Sequence, residues 1–203
     1  EHITGEILKQ ISRSPDQVEA TLTAIGEAIR ATLGATAIQW WLPVEGGYEK
    51  RGRATREEIV GDLPPELVAQ WDAVHVLPEE ASPWWVEARK TGRAVLVPDP
   101  ALLRDDENPA TTRAMAAAMG ISCSEWYRRV EARCIAVVPL IHEDRLLGFL
   151  DATHTVPEAF SQADVALIES FADQAAIAIE NGRLLRELRQ SNQEVGEALD
   201  VQT

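Results

Sequence analysis

The sequence predicts an α+β domain with β-hairpins at its centre and a helix at either end. Three features carry that expectation. Val18, Leu22, Ile25, Ile29 and Leu33 recur at helical spacing. Cys134 to Ile141 and Leu146 to Thr153 are apolar runs joined by the polar link His142-Glu143-Asp144-Arg145, which reads as a buried hairpin. From Gln162 onward there is no proline, so one helix runs to about Asp200, roughly 60 Å long at 1.5 Å per residue. The 203 residues are 45% hydrophobic and 26% charged, an ordinary globular composition. At this length one core buries roughly 70% of the unfolded chain's surface and needs no disulfide or metal to hold it.

Taken in order, Ile3, Ile7, Leu8 and Ile11 form a short helical stripe that stops at Ser12-Arg13-Ser14-Pro15. The chain begins at Glu1 inside that stripe, so a piece of a longer protein is expected. Ser14, Pro15 and Gln17 supply the cap, first position and capping-box partner of the next helix, which Gly34 ends. Ala37 to Leu42, with Trp40 and Trp41, reads as a strand closed by Pro43. Gly46-Gly47 turns it into a second strand over Tyr48 to Ala54. Leu67, Val68, Trp71, Val74 and His75 share a helical face after Pro64-Pro65. Ser82 and Gly92 bracket a helix over Pro83 to Thr91, followed by a short strand from Arg93 to Val97. Thr111 to Met119 is helix-friendly and Gly120 stops it, while Ile121 to Arg133 fits strand, loop or a turn of helix. Ser161 with Asp164 opens the final helix. In it Leu185, Leu188, Asn192, Val195 and Leu199 are spaced three, four, three, four, a heptad seam that predicts a parallel helical pair.

The net charge of −14 repels phosphate backbones and anionic lipid, so nucleic acid is not an expected partner. Cys123 and Cys134 stand eleven apart with no C-x-x-C and no histidine at ligand spacing, which points to a reduced, cytoplasmic protein with no structural zinc. No apolar run is long enough for a membrane span. There is no Ser-His-Asp order, phosphate loop or H-x-x-x-H helix, and no catalytic or metal-ligating residue is assigned.

With the elements in this order, the chain resembles a GAF domain, a small-molecule sensory module related in fold to PAS. The resemblance rests on Ala136-Val137-Val138-Pro139-Leu140, Asp144-Arg145-Leu146-Leu147-Gly148-Phe149-Leu150, Phe160-Ser161-Gln162-Ala163-Asp164 and the run from Leu167 to Asn181. It implies a twisted antiparallel sheet flanked by helices, with a ligand cavity on one side and the long terminal helices on the other. Residues 1–14 are then the end of an upstream helical linker, 15–181 the domain, and 182–203 a C-terminal coiled-coil linker helix. The resemblance also implies a homodimer through the terminal helices and a covalently linked output domain such as a histidine kinase or cyclase. Between Asp99 and Arg133 the chain departs from the compact family pattern by roughly ten added residues, measured against the short loop-length prior.

By the same resemblance Trp71, Trp84, Trp85 and Trp126 lie in the segments that roof the cavity. Each has two readings, core packing or the wall of a pocket for a planar organic ligand. Trp40 and Trp41 alternate faces, so only one of them can look into a pocket. His75 is a candidate ligand contact, and a metal role is disfavoured because no second His or Cys stands three or four residues on. Arg128, with Arg129 and Arg133, either meets an anionic ligand group or neutralises Glu125 and Glu131. Cys123 and Cys134 form a redox pair or are inert packing residues.

Bilin attachment of the phytochrome kind needs a Cys-His pair, and Asn108 to Arg113 has neither. The free methionine sulfoxide reductase branch needs several cysteines, which two do not match. The expected function is therefore non-enzymatic. The domain binds a small molecule, of a kind the sequence does not name, and relays its state through a dimeric C-terminal helix. A ligand-free dimerisation module and a thiol redox sensor are the alternatives.

Overall fold

The computed structural model describes residues 18–55 and 65–200. The expected upstream stripe and the Ser14 to Gln17 cap lie outside them. Twelve elements follow in chain order: α1 (Val18–Leu33), β1 (Ala37–Val44), β2 (Gly47–Thr55), α2 (Pro65–Ala73), β3 (Val76–Leu77), α3 (Pro83–Thr91), β4 (Val95–Val97), α4 (Pro109–Met119), α5 (Cys123–Arg129), β5 (Cys134–His142), β6 (Arg145–His154) and α6 (Gln162–Asp200). The six strands form one sheet in the order β3-β2-β1-β6-β5-β4, and every neighbouring pair is antiparallel. This is the antiparallel sheet with flanking helices and a long final helix that the resemblance implied.

The central hairpin is tighter than the sequence suggested. His142 pairs with Arg145, so the link is two residues and not four. Glu143 and Asp144 carry it at φ +46° and +62°, the pair of positive values that a two-residue turn needs to match strand twist. Gly148, beside this turn on β6, has φ +143°, and a Cβ there would meet the Trp41 carbonyl oxygen at 2.1 Å. Glycine lets β6 close against β1 at that point.

Two cores lie on opposite faces of the sheet. On one, α1 presents Leu22, Ile25 and Ile29 to Ile38, Trp40, Ala136, Val138 and Leu150, and α6 adds Ile168, Ala172, Ala175 and Ala176. The three alanines leave little between helix and strand, so α6 lies close on β5. Each fully buried Leu or Ile contributes about 1.5–3 kcal/mol of transfer free energy. The terminal helices meet as closely: a Cβ on Gly182 of α6 would stand 2.4 Å from Val18 Cγ2 of α1. Ser161 and Asp164 cap α6 reciprocally, Ser161 Oγ accepting from the Asp164 amide at 3.2 Å and Asp164 Oδ2 accepting from the Ser161 amide at 2.8 Å.

The other face carries Trp41, Tyr48, Trp71, Trp85, Met115, Met119, Cys123, Trp126, Ile135, Val137 and Phe149. Helices α2 to α5 supply its cover. Ile121 to Arg133, open in the sequence, holds α5, which Ser122 caps by accepting from the Glu125 amide at 3.2 Å. Ser124 Oγ then donates to Asp105 Oδ2 at 2.7 Å, tying α5 to the loop before α4. Arg133 grips Asp99 at 2.6 Å. The segment between 99 and 133 folds as two helices and their tethers, laid over the aromatic face.

Candidate functional site

The sheet row at the middle of the aromatic face holds its polar groups. Val95, Val137, Asp151 and Gln39 stand side by side on β4, β5, β6 and β1, and directly paired residues share a face. The next row holds Pro139, Phe149, Trp41 and Lys50. Asp151 therefore points into the same layer as Phe149, Trp41 and Val137. The Trp85 indole N–H, brought in by α3, donates to both carboxylate oxygens, at 3.0 and 3.2 Å. Trp41 Nε1 is buried without a hydrogen-bond partner of standard geometry, yet it lies near enough to favour the charged carboxylate.

Burial pushes the Asp151 carboxyl up to about 7, against the opposing pull of the Trp85 and Trp41 indoles. The residue as a whole is half-buried. On α5, Cys123 and Tyr127 stand one helical turn apart. Burial pushes the Cys123 thiol up to about 12, the Tyr127 hydrogen bond opposes this, and the charges of Asp105 and Asp151 add to it. Burial likewise raises the Tyr127 phenol well above its usual range, with Cys123 and Asp151 adding to the rise. Both groups are protonated at neutral pH.

Aromatic rings pack the layer around Asp151. Trp41 lies 4.9 Å from Trp85, and Trp85 stacks on Phe149 at 5.5 Å with planes 2° apart. Trp84, half-buried, meets Tyr127 at 5.2 Å. Farther out Trp71 of α2 stacks on Trp126 of α5 at 4.4 Å. Lys50 Nζ lies 4.6 Å from the Trp71 ring centroid and donates to the Trp71 carbonyl oxygen at 3.1 Å, holding the end of α2 to the sheet.

The four tryptophans singled out in the sequence all belong to this layer, Trp84 at its border. Trp40 and Trp41 separate onto opposite cores as strand alternation required. His75 falls beyond the end of α2 and is exposed, because the helix stops at Ala73. Arg128 is exposed on the outer side of α5, while Arg129 pairs with Glu125 and Arg133 with Asp99. Cys123 lies in the aromatic core and Cys134 in the opposite one, both buried and free. Neither thiol is therefore expected to react with Ellman's reagent until the chain unfolds; release of the coloured thiolate within seconds from the native protein contradicts this placement. Asp151 itself was missed in the sequence. Its signal was a lone carboxylate between Leu150 and Ala152, two residues from Phe149 and so on the same strand face.

On the final helix Leu185 is half-buried and Leu188 and Asn192 are exposed. Ile177 and Leu184 are large exposed apolar groups beside them, 46% and 48% exposed, with Leu188 at 57%. The side chains of Val195 and Leu199 lie outside the described residues. No helix among the described residues is long and apolar enough to cross a membrane. Also among them, no group of three His, Cys, Asp or Glu is placed to hold a metal ion.

The family model described as GAF domain matches residues 17–179. A GAF domain/HD domain protein from Geobacter sulfurreducens is similar in structure at TM-score 0.61 and 13% identity, over 87% of this chain and 98% of that one. The blue-light absorbing form of the Thermosynechococcus elongatus PixJ GAF domain gives TM-score 0.61 and 18% identity, over 88% and 94%. A free methionine-R-sulfoxide reductase from Neisseria meningitidis, solved with its substrate, gives 0.60 and 17%, over 89% and 88%. No curated protein sequence matches the chain. These structural likenesses concern the fold, which carries regulatory and catalytic proteins alike.

Proposed function

We propose, from the premise that this chain belongs to the GAF domain family, that it is a cytoplasmic sensory module. It binds a small molecule between the sheet and helices α3 to α5 and passes its state along α6 to an output domain. The observation that carries this reading is Asp151, a half-buried acid on the aromatic face of the sheet whose carboxylate accepts from the Trp85 indole. A domain that only packs has little reason to retain an ionisable group at such a place, since its desolvation is unfavourable.

The route outward is short. β6 carries Asp151, its neighbour β5 lies under α6, and α6 meets α1 at Gly182 and Val18. A change in the fit around Asp151 thus reaches the terminal helices through one rigid hairpin. The exposed residues Ile177 and Leu184 lie beside the apolar seam of Leu185, Leu188, Asn192, Val195 and Leu199 on the side toward the body, and a second copy covers them. Replacing Leu184 and Leu188 by glutamate shifts the chain toward monomer in sedimentation by removing those knobs; an unchanged dimer places the interface elsewhere.

The regulatory reading is favoured over catalysis by the cysteines. A thiol pushed up to about 12 is a poor nucleophile, and the second sulfur faces the other core. The ligand-free assembly reading draws on the tight packing of Trp41, Trp85 and Phe149, none more than 2% exposed. Native mass spectrometry with an absorption spectrum separates the two. A dimer that carries added mass or colour, or gains mass on incubation with metabolite extract, supports sensing; a dimer that never gains mass supports assembly.

A further inference from the structure

We propose that the last turn of α2 is an internal stand-in for a ligand, and that α2 swings away to admit a flat aromatic acid between Trp126 and Lys50. The inference rests on the sensory reading above and specifies its ligand and its moving part. Among the side chains described on α2, Trp71 alone is buried, at 8% exposure; Val68 is half-buried and the others are exposed. By contrast, two residues of α3 and three each of α4 and α5 are buried. A helix seated by one side chain is the part of the cover that lifts most readily, because local opening is opposed only by the buried contacts it breaks. The chain after α2 stays on the sheet: the His75 carbonyl accepts from the Lys50 amide at 3.1 Å, and β3 pairs with Tyr48 and Glu49. The helix therefore turns about Val74.

Trp71 is seated as a ligand would be. Its ring stacks on Trp126 at 4.4 Å with planes 24° apart, and meets Trp41 edge-on at 5.7 Å. Lys50 Nζ lies 4.6 Å from the ring centroid, donates to the Trp71 carbonyl oxygen at 3.1 Å and stands 3.9 Å from Asp72 Oδ1. The turn thus offers Lys50 a π face, a carbonyl oxygen and a carboxylate, the groups that one aromatic carboxylic acid carries on a small frame. The Lys50 side chain is only 14% exposed, so an ammonium turned into this layer favours such a partner in place of lost water. The walls that stay behind are fixed. Trp41 and Lys50 are directly paired on β1 and β2, and Trp126 belongs to α5, which Ser124 ties to Asp105. A cationic ligand is disfavoured by Lys50 itself. Asp151 does not oppose an acid here, because it lies on β6 with β1 between it and β2.

The test titrates the 203-residue chain calorimetrically with indole-3-acetate, 3-methylindole and tryptamine, one ring bearing an acid, no charge or an amine, and follows hydrogen exchange in α2. The acid is expected to bind about ten-fold tighter than the other two. Lys50→Met brings the acid and 3-methylindole to within about two-fold of each other. Trp71→Ala, with folding verified by circular dichroism, removes the internal occupant and tightens the acid by about ten-fold or more. In the parent chain, saturating indole-3-acetate speeds exchange of the α2 amides by about ten-fold while β5 and β6 stay protected, a readout that needs no variant. Equal or tighter binding of 3-methylindole or tryptamine overturns the acid assignment and leaves the swinging helix standing. Acid binding with α2 exchange unchanged, or no tighter in Trp71→Ala, overturns the displacement and leaves the sensory reading standing. No binding of any probe to Trp71→Ala at millimolar concentration overturns the site as a whole, and sensing then stands or falls by native mass spectrometry alone.

Discussion

Asp151→Asn is expected to be more stable than the parent chain at about pH 8, and the difference is expected to vanish toward about pH 4. The folded chain holds the Asp151 proton up to about pH 7, whereas the unfolded chain releases it near the usual carboxylate range of about 4. Across that window the folded state binds more protons, so its stability falls as pH rises, and above about pH 7 the loss is complete. A rise of that size corresponds to about 4 kcal/mol at 1.36 kcal/mol per pH unit. The asparagine carries no such dependence but brings an amide N–H₂ that must find acceptors. The net gain at alkaline pH is therefore on the order of 2–4 kcal/mol. Urea unfolding at several pH values checks this, and a constant difference between the two proteins from acid to alkali contradicts the enclosed carboxyl.

Trp85→Ala is expected to be among the most damaging single changes in the described core. The ring stacks on Phe149, meets Trp41 and Tyr48 and is 2% exposed, so its removal leaves a large void and lowers stability by about 3–5 kcal/mol. It also strips Asp151 of its hydrogen-bond donor, which moves the carboxyl farther up. Trp85→Phe separates the two effects: it keeps most of the packing and loses the N–H. Thermal melts at two pH values read both. A Trp85→Ala protein within about 1 kcal/mol of the parent would place the ring outside the core.

The elements with strong periodic signals were legible in the sequence. α1, the β5–β6 hairpin, the capped helix α3 and the start of α6 depend on local chemistry, namely apolar spacing, cap residues and the glycines that stop them. Among the described residues their bounds moved by a few residues at most. The segment from 121 to 133 was not legible because α5 is held by partners far along the chain, Asp105 for Ser124 and Asp99 for Arg133, which no local pattern contains. His75 was misplaced onto a helix face because helical spacing persists for two residues after the hydrogen bonds end; its carbonyl instead accepts from the Lys50 amide.

The candidate site was half legible for a related reason. The aromatic walls announce themselves by composition, so Trp71, Trp84, Trp85 and Trp126 drew attention at once. The group that gives the site its chemistry is a single aspartate in a strand, and in sequence it looks like the polar end of an apolar run. Only the register that pairs Asp151 with Val137 and Gln39, together with the arrival of Trp85 from 66 residues away, turns it inward.

The measurement that tests the central claim most directly is a carbon-13 NMR titration of the Asp151 carboxyl, assigned by comparison with Asp151→Asn. A carboxyl turned into the aromatic layer titrates near pH 7. A midpoint in the usual carboxylate range of about 4 would mean that Asp151 is bathed in bulk water and takes no part in the aromatic layer.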